Sequence, residues 1–290
     1  MTTARTRAAL AAALTVLALA ACAPEDDEDE PAGDPPASAS CTADQLPTLE
    51  PGTLTIGTDN PAYPPWFVDN DPSNGEGFES AVAYAVAEQL GFDRDSVVWT
   101  QVRFDNAIAP GPKDFDFDIN QFSITEERRQ AVDFSSPYYD VKQAVIALAD
   151  APIAEASSLS ELADATFGAQ VGTTSYQAIV DIIRPGPEPA VFNTNDDAKA
   201  ALENGSIDGL VLDLPTAFYM TSAEIENSVI VGQLPPLAEG EVEQFGLVLD
   251  KDSPLTDCVS QAVDALRADG TLAQLEQQWL ADVADAPELR

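Results

Sequence analysis

Arg128 stands at a position where a positive charge needs an explanation. It falls in the first turn of a predicted short helix, where the helix dipole disfavours a cation by roughly 0.3–1 kcal/mol. A guanidinium there makes sense if it donates a pair of hydrogen bonds to an anion. The alternative is a surface ion pair of little energetic weight with a neighbouring acid, which would be Glu126, Glu127 or Asp133.

Two other segments carry polar residues where an α/β protein could bind a ligand. Residues 172–175, Gly-Thr-Thr-Ser, join a predicted strand to a predicted helix, so their free N–H groups and hydroxyls suit an anion. Thr173 or Ser175 could equally cap that helix. Asp213 lies at the carboxyl end of a predicted strand, the edge at which open α/β sheets bind ligands, or it serves only as an N-cap.

An aromatic loop follows the first predicted strand. Residues 61–67, Pro-Ala-Tyr-Pro-Pro-Trp-Phe, present their rings at low entropic cost because the prolines fix the backbone. Rings beside an acid, here Asp59, suit a small cationic or zwitterionic ligand. Phe67 is predicted to be a core residue, whereas Trp66 could belong to the core or to the pocket.

Short regular elements must position these residues. Residues 114–119 alternate aspartate with phenylalanine or isoleucine, which predicts a strand with one buried face. A helix is predicted to begin soon after this strand. Its N-cap could be Ser123, which forms a capping-box pattern with Glu126, or Thr125, which is an equally good cap.

One long motif resembles a known family. It reads Ser-Ile-Thr-Glu-Glu-Arg at 123–128 and Asp-Phe-Ser-Ser-Pro-Tyr-Tyr at 133–139, and it is similar to the signature of solute-binding protein family 3, the amino-acid receptors of ABC importers. Similar spacing extends from about Leu54 to Leu280. The resemblance implies an α/β, two-lobed type II periplasmic-binding-protein fold with two hinge strands.

The resemblance also implies roles for single residues. The implied ligand-binding residues are Asp59, Tyr63, Phe104, Gln121, Ser123, Arg128, Thr173, Thr174 and Asp213. Arg128, Thr173 and Thr174 would hold the α-carboxylate of an amino acid, and Asp213 would hold its α-ammonium. The two aromatic residues of the set would pack against the ligand's side chain.

The sequence leaves the ligand's side chain open. Asn120-Gln121 stands where many family members carry small residues, and a similar pair appears in cystine-type receptors. Two amides suit a polar side chain. Asp59 and the acidic charge of the chain suit a basic one.

Composition excludes several classes of function. The chain has 13 basic and 50 acidic residues, a formal net charge of −37, so nucleic acid and anionic membrane surfaces are poor partners. It has no histidine, which excludes Ser-His-Asp and Cys-His catalysis and removes the commonest transition-metal ligand. We therefore expect no metal and no cofactor. We also expect no catalysis, because the roles that the resemblance implies for Arg128 and Asp213 fit the two charges of a simple amino acid. The alternatives are an enzyme resembling cyclohexadienyl dehydratase and the ligand-binding partner of a sensor.

The N-terminus is predicted to direct export. Two arginines precede an apolar run at residues 8–21 that ends in Leu-Ala-Ala-Cys and resembles a bacterial lipobox. This predicts a signal peptide at 1–22 with Cys22 lipidated, the alternative being an uncleaved anchor helix. Residues 23–49 are predicted to be an acidic, disordered tether.

The order of strands and helices predicts two lobes. Residues 50–143 and 245–290 form lobe 1, and residues 144–244 form lobe 2. Strands at 143–148 and 243–249 are predicted to cross between them.

Cys41 and Cys258 are predicted to form a disulfide, because exported compartments oxidise thiols; two unpaired thiols are the alternative. The expected protein is a monomer, lipid-anchored outside the cell membrane, that binds an amino acid and passes it to an ABC permease.

Overall fold

The structure, a computed structural model, describes residues 41–236, 240–281 and 286–290. The predicted signal peptide, the predicted lipidation site at Cys22 and residues 23–40 of the predicted tether lie outside them. Residues 41–49 do not belong to a disordered tether, which corrects that boundary. Leu46 is buried in the core of the first lobe, and the Leu49 N–H donates to Asp116 Oδ1 at 2.8 Å. No helix in the described part of the chain is long and apolar enough to cross a bilayer.

The strands are numbered in chain order. They are β1 (Leu54–Thr58), β2 (Val97–Gln101), β3 (Phe117–Asp118), β4 (Asp133–Phe134), β5 (Tyr139–Val141), β6 (Gln143–Leu148), β7 (Phe167–Gln170), β8 (Ala190–Phe192), β9 (Gly209–Asp213), β10 (Ser228–Gln233), β11 (Glu243–Phe245) and β12 (Val248–Leu249).

The α-helices are α1 (Phe78–Gln89), α2 (Phe104–Ala107), α3 (Thr174–Ala178), α4 (Asn195–Glu203), α5 (Leu214–Tyr219), α6 (Thr256–Ala268) and α7 (Thr271–Trp279). Short 3-10 turns occur at Pro72–Asn74, Arg94–Ser96, Arg128–Gln130 and Leu159–Leu162, and π-helical turns extend α3 and α5 over Ile179–Ile183 and Met220–Glu224.

Two five-stranded mixed sheets form the two lobes. The first has the order β2-β1-β3-β12-β4, and the second has the order β10-β6-β9-β7-β8. In the first sheet β1 runs parallel to β2 and β3, while β12 runs antiparallel to β3 and β4. In the second sheet β7 runs parallel to β8 and β9. The predicted α/β, two-lobed architecture is confirmed.

The connection between the lobes differs from the prediction. The crossing ribbon is the antiparallel pair β5 and β11, with Tyr139 opposite Phe245. The strand at 143–148, predicted to cross, is an interior strand of the second sheet, paired on both sides with β10 and β9. An apolar strand fits that position because both its faces are covered.

The C-terminal residues also depart from the predicted lobe boundary. The predicted lobe 1 includes residues 286–290, but these residues lie on the second sheet. Glu288 forms a parallel bridge with Gln233, and Leu289 is buried in the core of that lobe.

The strand at 114–119 was predicted to have one buried face, and this prediction is only partly correct. Phe115, Phe117 and Ile119 are buried as predicted, but Asp116 and Asp118 are buried as well. Asp116 accepts hydrogen bonds from the backbone N–H groups of Leu49 and Thr55, which compensate for its burial. β3 lies between β1 and β12, so both of its edges are paired, and both of its residues are buried.

The helix predicted near residue 123 is only the 3-10 turn Arg128–Gln130. Thr125 caps this turn, because its Oγ1 accepts from the Arg128 N–H at 3.1 Å. Ser123 does not cap this turn, because the turn begins only at Arg128, and the Ser123 hydroxyl donates to Glu243 Oε1 at 2.6 Å.

Cys41 and Cys258 form the predicted disulfide, which fastens residue 41 to α6.

Phe67 is a core residue as predicted. Trp66 also belongs to the core of the first lobe, and the cavity described below excludes it.

Candidate ligand-binding site between the lobes

A cavity of about 270 Å³ lies between the two lobes. Its walls come largely from the carboxyl ends of β1, β2, β3, β7, β8 and β9 and the segments that follow them, the edge at which α/β sheets bind ligands. Of the predicted site residues, the cavity is lined by Asp59, Tyr63, Phe104, Gln121, Arg128, Thr173, Thr174 and Asp213.

Arg128 is a buried cation that bridges the lobes. It is only 8% exposed, and its Nη1 donates to the Ser123 carbonyl at 2.6 Å. Its Nη2 donates to the Gly172 carbonyl of the second lobe at 2.8 Å. Surface pairing with Glu126, Glu127 or Asp133 is not observed among the ion pairs of the described residues. Burial lowers the pKa of Arg128 to about 10, against the opposing charges of Glu243 and Asp213.

Asp213 is the last residue of β9, and its side chain does not cap α5. The carboxylate could therefore bind a ligand. Its Oδ1 accepts from Gln143 Nε2 at 2.7 Å. Burial and the neighbouring charge of Glu243 raise the pKa of Asp213 well above its usual range, while the hydrogen bond from Gln143 acts against this rise. A cation in the cavity would favour the ionised carboxylate and so stabilise this residue.

Thr173 caps α3. Its hydroxyl donates to the Gln170 carbonyl at 2.7 Å and accepts from the Tyr176 N–H at 3.4 Å. Thr174 Oγ1 lies 3.2 Å from Ser123 Oγ of the other lobe. Thr173 thus both caps the helix and lines the cavity, so the two interpretations of this segment are compatible.

Asp59 and Phe104 form the wall of the first lobe. Asp59 accepts hydrogen bonds from the Asn60 and Phe104 N–H groups at 2.7 and 3.0 Å, so it holds the start of α2 in place. The Phe104 ring stacks on Phe122 with centroids 4.8 Å apart. The guanidinium carbon of Arg128 lies 5.4 Å from the Phe104 ring centroid, close enough for a cation–π contact.

Tyr63 belongs to the first lobe by sequence but packs on the second. Its ring lies 6.3 Å from that of Tyr219, and it contacts the core of the second lobe. Burial raises the pKa of Tyr63, and the acids Asp196 and Glu224 raise it further. The phenol is therefore neutral and can donate a hydrogen bond.

Ser123 differs from the other predicted residues because it lies behind the cavity wall. Its hydroxyl donates to Glu243 Oε1 on the crossing ribbon. Gln143 Nε2 lies 3.3 and 3.2 Å from the two carboxylate oxygens of Glu243, and Gln143 Oε1 accepts from Ser175 Oγ at 2.7 Å. This network joins both lobes to the ribbon and to Asp213.

Sequence reasoning missed Gln143 and Glu243. The available signal was a polar residue at the start of each otherwise apolar strand predicted to cross between the lobes. It also missed the polar residues that line the cavity beside the predicted ones, which are Asn60, Gln101, Arg103, Asp105, Gln170, Asn193, Thr194 and Asn195. Asn120 and Ser175, which the sequence analysis considered beside Gln121 and Thr174, line the cavity as well. Among the described residues, no three His, Cys, Asp or Glu side chains gather in a way that could hold a metal ion.

Residues 54–282 match the family model of bacterial extracellular solute-binding proteins, family 3. The chain is 29% identical to a probable histidine-binding protein of Campylobacter jejuni over 223 residues, 75% of this chain and 81% of that protein. It is 26% identical to the L-arginine-binding protein of Pseudomonas aeruginosa, over 76% of this chain and 85% of that protein. It is 27% identical to an L-cystine-binding protein of Escherichia coli, over 81% and 85%.

Solved structures agree with this similarity. An ancestral arginine-binding protein bound to glutamine superimposes with a TM-score of 0.66 at 28% identity, over 80% of this chain and 99% of that one. An ancestral amino acid-binding protein, a precursor of cyclohexadienyl dehydratase, superimposes with a TM-score of 0.64 at 30% identity, over 79% and 95%.

Proposed function

This chain belongs to the bacterial extracellular solute-binding proteins of family 3, and from that membership we propose that it captures a polar amino acid between its lobes and delivers it to the permease of an ABC importer. Relatives named for binding histidine, arginine and cystine support an amino acid as the ligand.

The observation that carries the proposal is the buried guanidinium of Arg128 in the cavity wall. Arginine has five N–H donors, and described carbonyl groups accept two of them, one from each lobe. The remaining donors suit a bidentate bond to the α-carboxylate. Thr173 and Thr174 line the same cavity from the second lobe and would bind the carboxylate with Arg128.

Asp213 would bind the α-ammonium. Its carboxylate lines the cavity, does not cap α5, and has a pKa that burial has raised. The positive charge of an ammonium beside it would favour the ionised form of the carboxylate. The rings of Tyr63 and Phe104 would pack against the side chain of the amino acid, and Asp59 and Gln121 would complete the wall around it. Ser123 would support the site from behind this wall through its bond to Glu243.

Ligand binding would favour the form in which the lobes are in contact. Groups from both lobes would hold one carboxylate, and a ligand shifts a conformational equilibrium by its differential contacts with the two forms. The permease would then recognise the closed form.

The chain's anchoring is part of the same proposal. Cleavage before Cys22 and lipidation of that residue would attach a monomer to the outer face of the cell membrane. The two lobes of the proposal are residues 41–143 with 245–281, and residues 144–236 with 240–244 and 286–290.

A second candidate function is an enzymatic one, and it is favoured by the structural similarity to a precursor of cyclohexadienyl dehydratase. In that case the cavity would turn over prephenate or arogenate. We prefer capture without catalysis because Arg128 and Asp213 together fit the two charges of a simple amino acid.

The test is a thermal-shift screen of the mature chain with the twenty amino acids, cystine, ornithine and citrulline, followed by calorimetry. At least one should raise the melting temperature and bind with one-to-one stoichiometry. The proposal would be rejected if none binds, and turnover of prephenate or arogenate would replace it with the enzymatic function.

A further inference from the structure

Glu79 is a wholly buried acid outside the cavity. It lies in the first turn of α1 and is 0% exposed. Its Oε1 accepts hydrogen bonds from the Tyr138 hydroxyl and, at 2.7 Å, from the backbone N–H of Gln121. Its Oε2 accepts from the side-chain Nε2 of Gln121. One carboxylate thus holds both the backbone and the side chain of a residue that lines the cavity.

Gln121 needs such a partner because its backbone is strained. Its φ is +48°, in the left-handed region that side chains other than glycine rarely adopt. Such conformations persist where the surroundings fix them, and they cluster at ligand-binding sites. The bond from the Gln121 N–H to Glu79 supplies one such restraint.

The amide of Gln121 has a defined orientation for a chemical reason. At pH 8, above the pKa of about 7 that burial gives Glu79, its carboxylate is ionised and only accepts hydrogen bonds, so it faces the NH₂ group of the amide and not its oxygen. The oxygen, Oε1, has no hydrogen-bond partner among the described residues, and Gln121 lines the cavity.

We propose that Glu79 is a positioning residue for ligand recognition, which turns the acceptor oxygen of Gln121 toward the cavity. This inference rests on the proposed function and narrows its ligand class. The ligand group that faces Gln121 is a hydrogen-bond donor, such as an ammonium, a guanidinium or an amide N–H. A carboxylate at that point would meet an acceptor and would be rejected.

Glu79→Gln reverses this arrangement with little change in shape. The new amide can still accept at one atom from Tyr138 and the Gln121 N–H. Its NH₂ group then faces the NH₂ group of Gln121, so the Gln121 amide must turn and present its own NH₂ to the cavity. Glu88→Gln is the matched control, because Glu88 is an exposed residue of the same helix.

The first test needs no ligand. In ¹⁵N-labelled protein at pH 8, the side-chain NH₂ signal that disappears in Gln121→Met is that of Gln121. We expect it to be shifted downfield and to exchange slowly with water in the wild type and in Glu88→Gln, and to lose both properties in Glu79→Gln. A Gln121 signal that exchanges like an exposed glutamine in the wild type would overturn the proposal.

The second test separates positioning from a general structural role. Calorimetry would measure the affinity for L-arginine, L-histidine, L-glutamine and L-cystine. For the tightest of the four, Glu79→Gln and Gln121→Met should each weaken binding about tenfold, and the double variant should be no more than about twofold weaker than either. Additive losses would contradict the proposal. If none of the four binds, the proposed function fails for these probes, while the Gln121 signal still decides the role of Glu79.

Discussion

The indole nitrogen of Trp66, in the first lobe, donates a hydrogen bond to Thr216 Oγ1, on α5 of the second lobe, at 2.9 Å. Both residues are buried, and Thr216 lies three residues after Asp213. Trp66 also packs against Tyr139 and Phe245, which face each other on the crossing ribbon. The bond therefore joins the lobes beside the ribbon, and it should exist only while the lobes are in contact.

Thr216→Val should weaken amino-acid binding by about tenfold, because it leaves a buried indole N–H without an acceptor in the closed form only. Calorimetry measures the effect. Thr221→Val is the control, because the Thr221 hydroxyl bonds to carbonyls of its own helical segment, those of Ala217 and Phe218. Equal affinities for the two variants would show that the bond does not contribute to closure.

Arg128→Ala should abolish detectable amino-acid binding, a loss of about 2–5 kcal/mol or more, because a carboxylate would lose its buried partner. The domain should still fold, since burial of the guanidinium is itself costly, as its lowered pKa of about 10 indicates. Calorimetry and thermal unfolding would measure both. Arg129→Ala, which removes an exposed neighbour, should bind as the wild type does. Retained affinity in Arg128→Ala would contradict the carboxylate role.

Asp213→Asn should weaken binding by about 2–5 kcal/mol, because the α-ammonium would lose its charged partner. Without ligand the variant should unfold at the same or a higher temperature, because burial raises the pKa of Asp213 and makes its charged form unfavourable. Asp150→Asn, at an exposed residue of the second lobe, is the control. The ammonium role is rejected if ligand stabilises Asp213→Asn as much as the wild type in thermal-shift curves.

Glu79 should make the domain less stable as the pH rises from about 4.5 to about 7. Burial raises the pKa of Glu79 from 4.5 to about 7, although the hydrogen bonds from Tyr138 and Gln121 oppose the shift. The folded protein therefore holds a proton through this window that the unfolded chain has released. The contribution of Glu79 to the free energy of unfolding is most favourable below pH 4.5, and on the order of 3 kcal/mol is lost by pH 7.

Urea unfolding of wild type and Glu79→Gln between pH 4 and pH 8 would measure this loss. Burial also raises the pKa of Asp118 and of Tyr138, and the charge of Glu79 adds to both shifts, so the difference between the two proteins is the relevant quantity. Glu79→Gln should have the shallower pH dependence. Parallel curves would show that Glu79 has an ordinary pKa in the folded protein.

The sequence predicted the positions of polar residues at the ends of strands better than the burial of polar residues inside strands and helices. Asp59 and Asp213 line the cavity as expected, because both lie at the carboxyl ends of apolar strands, and these ends form the edge at which α/β sheets bind ligands. The burial of Asp116 depends on backbone N–H groups more than 60 positions away in the chain, those of Leu49 and Thr55. No local pattern encodes such a contact.

The same reason explains the residues that were misjudged or missed. Glu79 lies in the first turn of a helix, where an acid is favourable without any further role. Its contact with Gln121 joins residues far apart in the chain and has no local sequence pattern. Ser123 had the pattern of a cap, but its pairing with Phe245 places its hydroxyl beside Glu243. Both roles arise from long-range pairing, which a single sequence does not reveal.

The bond between Cys41 and Cys258 determines where a mechanical load enters this domain. A pull on the chain from the N-terminal side of residue 41 is taken up by a covalent link to α6 of the first lobe. None of that tension passes through the ribbon of β5 and β11, which connects the lobes. The cleft should therefore open and shut at the same rate in a tethered molecule as in a free one.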